Sequence, residues 1–221
     1  MIYMVNNPWL GVWREGIRVG RSGSGTRDHI VDTTLKMISE NESHNVRISD
    51  VAQRSNVGVP TIYYYFESRT QLIAEAQLFS YARRTENLHQ CLTRAEEATE
   101  AKDEDAFWSA IGENLERAWR AGQGENKWDI VKLLLDVWAD PGTRDRFTQQ
   151  LETQFKRWIR AVELAKDNGW IIRDLDSQVL ISTYWSASIG QAVIDGSSHL
   201  NPTGDQVRSF FIKAARVVDS N

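Results

Sequence analysis

The chain has 221 residues, 41% of them hydrophobic, enough for one large domain or two small ones with a full core. The lone cysteine, Cys91, excludes an internal disulfide and a cysteine-cluster metal site and is compatible with a reducing cytoplasm. No run of about 20 apolar residues marks a membrane span, and Met1 to Val5 does not open a secretory leader. The net charge of −4 at first argues against a nucleic-acid partner, but it is uneven. Residues 1–72 carry eight Lys and Arg against seven Asp and Glu, and the rest carries 18 against 23. A nearly neutral N-terminal part leaves a nucleic-acid partner possible only with modest non-specific attraction.

Residues 1–25 are punctuated by Pro8, Gly11, Gly16, Gly20 and Arg21-Ser-Gly-Ser-Gly25, which predicts a flexible arm rather than core. Arg14, Arg18 and Arg21 could reach a minor groove or phosphates from such an arm. Helix one is expected from Thr26 to about Glu40, with Ile30, Thr34, Met37 and Ile38 as its buried stripe and Asn41 as a left-handed end. Helix two begins near Arg47 to Ser49. Asn56-Val57-Gly58 then breaks the chain, since Asn tolerates positive φ and Gly adopts it freely. Pro60 sits in the first turn of helix three, Val59 to Tyr65, where its missing N–H costs nothing. Ile62 and Phe66 point inward together, leaving Thr61, Tyr63, Tyr64 and Tyr65 around the rest of the surface. So short a helix with so few anchors is a poor core element and suits a DNA major groove.

Ser68 and Gln71 form a capping box opening a long helix four, which carries Leu72, Ile73, Ala76 and Phe79. The acidic stretch Glu96 to Asp105 reads as a solvated helix end and loop. Helix five, Asp105 to Gly122, places Phe107, Trp108, Ile111, Leu115, Ala118 and Trp119 on one stripe. Helix six, about Asn126 to Ala139, is expected to bury Trp128, Val131, Leu135 and Trp138, and Asp140-Pro141-Gly142 ends it. Helix seven runs from about Thr143 to Asn168, with Phe147, Leu151, Phe155, Trp158, Val162 and Ala165 on one side and Gly169 as its stop. Helix eight, roughly Leu175 to Ile194, is apolar on more than one side. Helix nine, about Thr203 to Val218, shows Val207, Phe210, Phe211, Ala214 and Val217. The surplus apolar surface of these last two helices suggests a subunit interface. No strand-like alternation appears, so the fold class is all-α, with about nine helices. The division is an arm over 1–25, a helix-turn-helix DNA-binding domain over 26–72 and a helical domain over 73–221.

From about Thr26 to Leu72 the chain resembles the TetR family of bacterial transcriptional repressors. The resemblance rests on Asp50-Val51-Ala52, Asn56-Val57-Gly58, Thr61-Ile62-Tyr63-Tyr64-Tyr65-Phe66 and Ser68-Arg69-Thr70-Gln71-Leu72. Those follow the family's acidic-Ile-Ala step, Gly-Val-Ser turn, Thr-Leu-Tyr-x-His-Phe recognition helix and Ser-Lys-x-x-Leu opening of helix four. Asn56 replaces the turn Gly, Gly58 the capping Ser, Tyr65 the His and Arg69 the Lys. A Gly cap is weaker than Ser by a few tenths of a kcal/mol, too little to change the fold.

The resemblance implies contacts to a double-stranded DNA operator from Arg47, Ser49, Val59, Pro60, Thr61, Tyr63, Tyr64, Tyr65 and Arg69. In that scheme Tyr63, Tyr64 and Arg69 hold phosphates, and Thr61 and Val59 approach bases. It also implies a homodimer through the last two helices, with recognition helices about 34–36 Å apart on a palindromic site. A small-molecule effector, apolar or aromatic, is expected among the later helices, with Trp108, Trp119, Trp138, Phe155, Trp158, Tyr184 and Trp185 as candidate lining. Ligand binding would then release a repressor from DNA, the alternative being a C-terminal domain that engages a protein partner. No phosphate-binding loop, His-Glu-x-x-His or nucleophile elbow is present, so the sequence predicts no enzyme, no metal and no cofactor.

Overall fold

The computed structural model describes residues 23–121, 129–194 and 202–217. The expected arm over 1–25 therefore lies almost wholly outside the described residues, as do the start of helix six and its Trp128. Nine α-helices are described: α1 Gly23–Asn41, α2 Ile48–Arg54, α3 Val59–Tyr65, α4 Arg69–Ala101, α5 Glu104–Ala121, α6 Asp129–Trp138, α7 Pro141–Asp167, α8 Ser177–Ile194 and α9 Gly204–Ala215. A single 3-10 turn, Ser43–Asn45, precedes α2. The only extended pairing among the described residues is an isolated antiparallel bridge between Ile171 and Arg216. The architecture is all-α.

The chain divides into two compact units. One comprises Met1–Arg84 with Lys132–Gln150, the other Thr85–Val131 with Leu151–Asn221. The helix-turn-helix unit thus includes most of α6 and the first turns of α7. Its core joins Ile30, Val31 and Met37 of α1, Val51 and Ala52 of α2, Ile62 of α3, Phe66, and Leu72, Ile73 and Ala76 of α4. These positions recur at helical spacing, so each short helix buries one face and leaves the other to water.

The turn after α2 is built by hydrogen bonds that a left-handed residue permits. Asn56 has φ 53°, Val57 N–H donates back to the Ala52 carbonyl at 3.0 Å and Asn56 N–H to Gln53 at 3.3 Å. That pair closes the last carbonyls of α2 as a Schellman motif does. Gly58 takes no part in the left-handed step. Its φ is −74°, and it serves as the residue that starts α3. At the end of α1 the left-handed position falls on Glu42, with φ 58°, one residue beyond the expected Asn41. The helix runs one residue further, and the Glu42 carboxylate receives Lys132 Nζ of α6 at 2.9 Å.

In α6 the buried residues are Leu133 and Val137, while Leu135 and Trp138 are exposed. The stripe therefore differs from the expected line through Leu135 and Trp138, and follows Ile130, Leu133, Leu134 and Val137 at the i, i+3, i+4, i+7 spacing. Trp138 packs edge-on to Phe147 of α7, centroids 5.6 Å apart.

The carboxylate of Glu75, on α4, is buried in this unit. It receives Arg27 of α1 at 3.1 Å and Arg146 of α7, and the Arg27 guanidinium also lies over the Phe66 ring. Burial pulls both guanidinium pKa values below their usual range.

The second unit packs α5, α8, α9 and the ends of α4 and α7 around Phe107, Trp108, Val162, Trp170, Ile171, Ile181 and Ala215. Gly169 ends α7 with φ 82°, and Trp170 N–H donates back to Ala165 at 2.9 Å. Thr203 caps α9 in a complete capping box with Gln206. Gly112 of α5 leaves room for the Arg208 guanidinium of α9, since a Cβ there would sit 2.6 Å from Arg208 Nε.

Candidate DNA-reading helix and ligand cavity

Helix α3 has two turns and one fully buried side chain, Ile62. Phe66, just beyond it, is the second anchor. With those two facing the core, geometry sends residues 63 and 64 outward: Tyr63 is 53% exposed and Tyr64 75%. Pro60 is exposed, Val59 is 38% exposed, and Thr61 is half-buried. Tyr65 divides its ring between core and surface. It packs against the core cluster and meets Tyr64 edge-on at 5.0 Å.

Arg47 starts α2 from an extended conformation, φ −104° and ψ 146°, and its side chain is exposed. Ser49 is exposed too, and its hydroxyl donates to the Asp50 carboxylate at 3.0 Å. Arg69 is half-buried. Its Nε donates to the Val46 carbonyl at 2.6 Å, and Nη2 donates to the Ser43 carbonyl. Those bonds tie the start of α4 to the loop before α2, an intramolecular role that residue type and spacing did not reveal. At the same helix start, Ser68 Oγ accepts from Gln71 N–H at 3.0 Å, while the Gln71 side chain reaches back to Glu67 N–H at 2.6 Å.

The second unit contains a cavity among α5, α7, α8 and α9. Phe107, Trp108, Ile111, Leu115, Trp158, Val162, Leu180, Ile181, Tyr184 and Phe211 supply a largely apolar wall, and Asn114 a polar one. The Tyr184 hydroxyl donates to Asn114 Oδ1 at 2.9 Å, and Asn114 Nδ2 makes a long bond of 3.5 Å to the Leu88 carbonyl. Trp108 is fixed from outside: its indole N–H donates to Glu104 at 3.0 Å, and Arg216 lies over its ring at 5.5 Å. The cavity volume is about 60 Å³. A single water needs about 10–15 Å³, and an apolar cavity that takes benzene measures about 150 Å³. As it stands, the space suits a few waters, and a ring-sized ligand must widen it.

Of the residues expected to line such a cavity, Trp108, Trp158 and Tyr184 do so. Phe155 and Trp185 belong to the same unit and pack on each other at 5.9 Å, outside the cavity wall. Trp138 belongs to the helix-turn-helix unit, and the Trp119 side chain lies outside the described residues. Asn114 and Phe211 were not singled out from the sequence. Phe211 is one of several apolar residues on α9, and only the facing of α9 toward α5 selects it. A polar residue inside an apolar helical stripe is the signal that could have found Asn114.

His89 is half-buried. Its Nδ1 lies 3.0 Å from Gln154 Oε1, and burial depresses its pKa to about 4. Among the described residues no cluster of three His, Cys, Asp or Glu side chains could hold a metal ion. None of their helices is long and apolar enough to cross a membrane.

A trihelical head whose short third helix presents tyrosines to solvent has the arrangement of a helix-turn-helix. Residues 30–76 match the family model described as bacterial regulatory proteins, tetR family. No curated protein matches it.

Solved structures share the fold at low identity. A TetR transcription regulator from Haloarcula marismortui is 16% identical with a TM-score of 0.66, covering 88% of this chain and 100% of its own. A protein from Saccharomonospora viridis in complex with choline is 21% identical with a TM-score of 0.56, covering 86% and 95%. The transcriptional regulator FadR from Bacillus subtilis in complex with stearoyl-CoA is 17% identical with a TM-score of 0.58, covering 84% and 97%.

Proposed function

We propose that this protein is a cytoplasmic, homodimeric repressor that holds a palindromic operator and leaves it when a small molecule occupies the cavity among α5, α7, α8 and α9. The observation that carries the DNA-reading half is the exposure of Tyr63 and Tyr64 on a helix anchored only by Ile62 and Phe66. Their hydroxyls reach for phosphates, while Val59, Pro60 and Thr61 at the helix start approach base edges. Arg47 and Ser49 contact the backbone from the start of α2. Tyr65 stands at the rim of the interface. Arg69 has N–H groups beyond the two that hold Ser43 and Val46, and these complete a phosphate clamp.

Dimerisation is supported by apolar side chains left in solvent on the last two helices, Val179 at 59% and Phe210 at 67% exposed. The choline and stearoyl-CoA complexes of proteins with this fold support a ligand-responsive body. The smallness of the cavity supplies the switch. A ligand fits only where the helices have parted, so it binds that state better and shifts the population toward it. Residues of α7 stand in both units, Arg146 in the buried ion cluster of the head and Trp158 in the cavity wall.

Selection of bound sequences from random DNA tests the reading. The expected product is an inverted repeat bound by the wild type and lost when Tyr63 and Tyr64 are both replaced by Ala. Recovery of no preferred sequence would refute it. The same exposed apolar residues also favour a second reading, in which the helical body engages a protein partner. A sedimentation equilibrium that gives a monomer would favour that reading.

A further inference from the structure

The cavity's chemistry restricts what can enter it. Every lining residue is uncharged. The charges beside Trp108, Arg216 and Glu104, pair with each other at 2.9 Å. An ionised ligand would lose its water with no counter-charge to replace it. A cation meets a further obstacle, because Arg216 already lies over the Trp108 ring.

Asn114 is the exception in this wall. It is 4% exposed, and the Tyr184 hydroxyl holds its carbonyl end. One N–H makes the 3.5 Å bond to Leu88, and the amide's other N–H has no partner among the described residues. A donor of this kind, buried in an aromatic wall of Phe107, Trp108, Trp158 and Phe211, matches an acceptor on a flat ring. The small volume points to one ring rather than a long acyl chain.

We propose that the effector is a small, uncharged, single-ring aromatic compound with a carbonyl-type hydrogen-bond acceptor, held by Asn114 and oriented by Tyr184. The inference rests on the reading of the cavity as the effector site. Four probes separate the alternatives: acetophenone, its isosteres benzoate and α-methylstyrene, and choline chloride, each titrated calorimetrically into the full-length protein. Acetophenone should bind at least tenfold more tightly than any of the other three. Asn114→Leu should lower its affinity about tenfold, the size of one well-made hydrogen bond. Tyr184→Phe, which keeps the ring, should act in the same direction while a cooperative thermal melt shows that the variant is folded.

Benzoate or choline binding as tightly as acetophenone overturns the proposal. So does an unchanged acetophenone affinity in a folded Tyr184→Phe and Asn114→Leu pair, or no binding of acetophenone at millimolar concentration. A parallel gel shift keeps the two readings apart. Acetophenone that binds without displacing DNA counts against ligand-driven release alone, and displacement by choline with no acetophenone binding counts against the ligand class alone.

Discussion

Arg69 shows how one side chain serves the fold and a candidate interface together. Its guanidinium closes the carbonyls of Ser43 and Val46, so Arg69→Ala leaves both with a lost partner. It should lower stability by about 1–3 kcal/mol as well as DNA affinity. Tyr64, 75% exposed, has no such second duty, and Tyr64→Ala should weaken operator binding with the melting temperature unchanged. Melting curves and gel shifts on both variants check the contrast.

His89 makes a different prediction. Burial holds its pKa near 4 against 6.5 for a free imidazole, the bond to Gln154 opposing. Between those values the unfolded chain takes a proton that the fold refuses. Stability is therefore full above pH 6.5 and falls as the pH drops toward 4, by up to about 3 kcal/mol. Urea unfolding at pH 7.5 and 5 should show this loss in the wild type and a shallower one in His89→Gln.

Among the elements, the candidate recognition helix α3 is held by its ends more than by its own propensity. Seven residues make a marginal helix in water. The left-handed Asn56 before it and Phe66 after it fix where it starts and stops. The sequence conveys this well, because turn residues and apolar spacing are local. It conveys α6 poorly: Leu133 and Leu135 are the same residue type two positions apart, and which one is buried depends on the helices that pack against them. At α9 the capping box of Thr203 and Gln206 is complete. Thr203→Ala should cost about 1 kcal/mol, which a denaturation midpoint reads, with the loss confined to the end of α9 in hydrogen exchange.

For the whole molecule, charge is the constraint on DNA binding. The net charge of −4 gives no broad attraction to a duplex, so the proposed operator affinity must come from a few placed contacts doubled in the proposed dimer. The salt dependence of operator binding should then report roughly 6–10 phosphate contacts per dimer. A slope near zero in affinity against salt concentration would contradict the phosphate roles given to Arg47 and Arg69. The compact head also extends further along the chain than the helix-turn-helix itself, taking in Lys132–Gln150. Lys132 meets Glu42, and Arg146 meets Glu75. These pairs join residues far apart in sequence, and no local pattern announces them.

Sequence alone conveyed the existence and order of the helices and the resemblance carried by residues 50–72, with bounds shifted by a few residues, because capping, turn chemistry and apolar periodicity act over one or two turns. Tertiary structure decided which aromatic residues line the cavity, that Trp138 belongs to the head, that His89 is half-buried, and that Arg69 is bonded within its own chain. Those outcomes depend on which helices meet, and a stripe of apolar residues looks the same whether it faces a neighbour, a cavity or a partner.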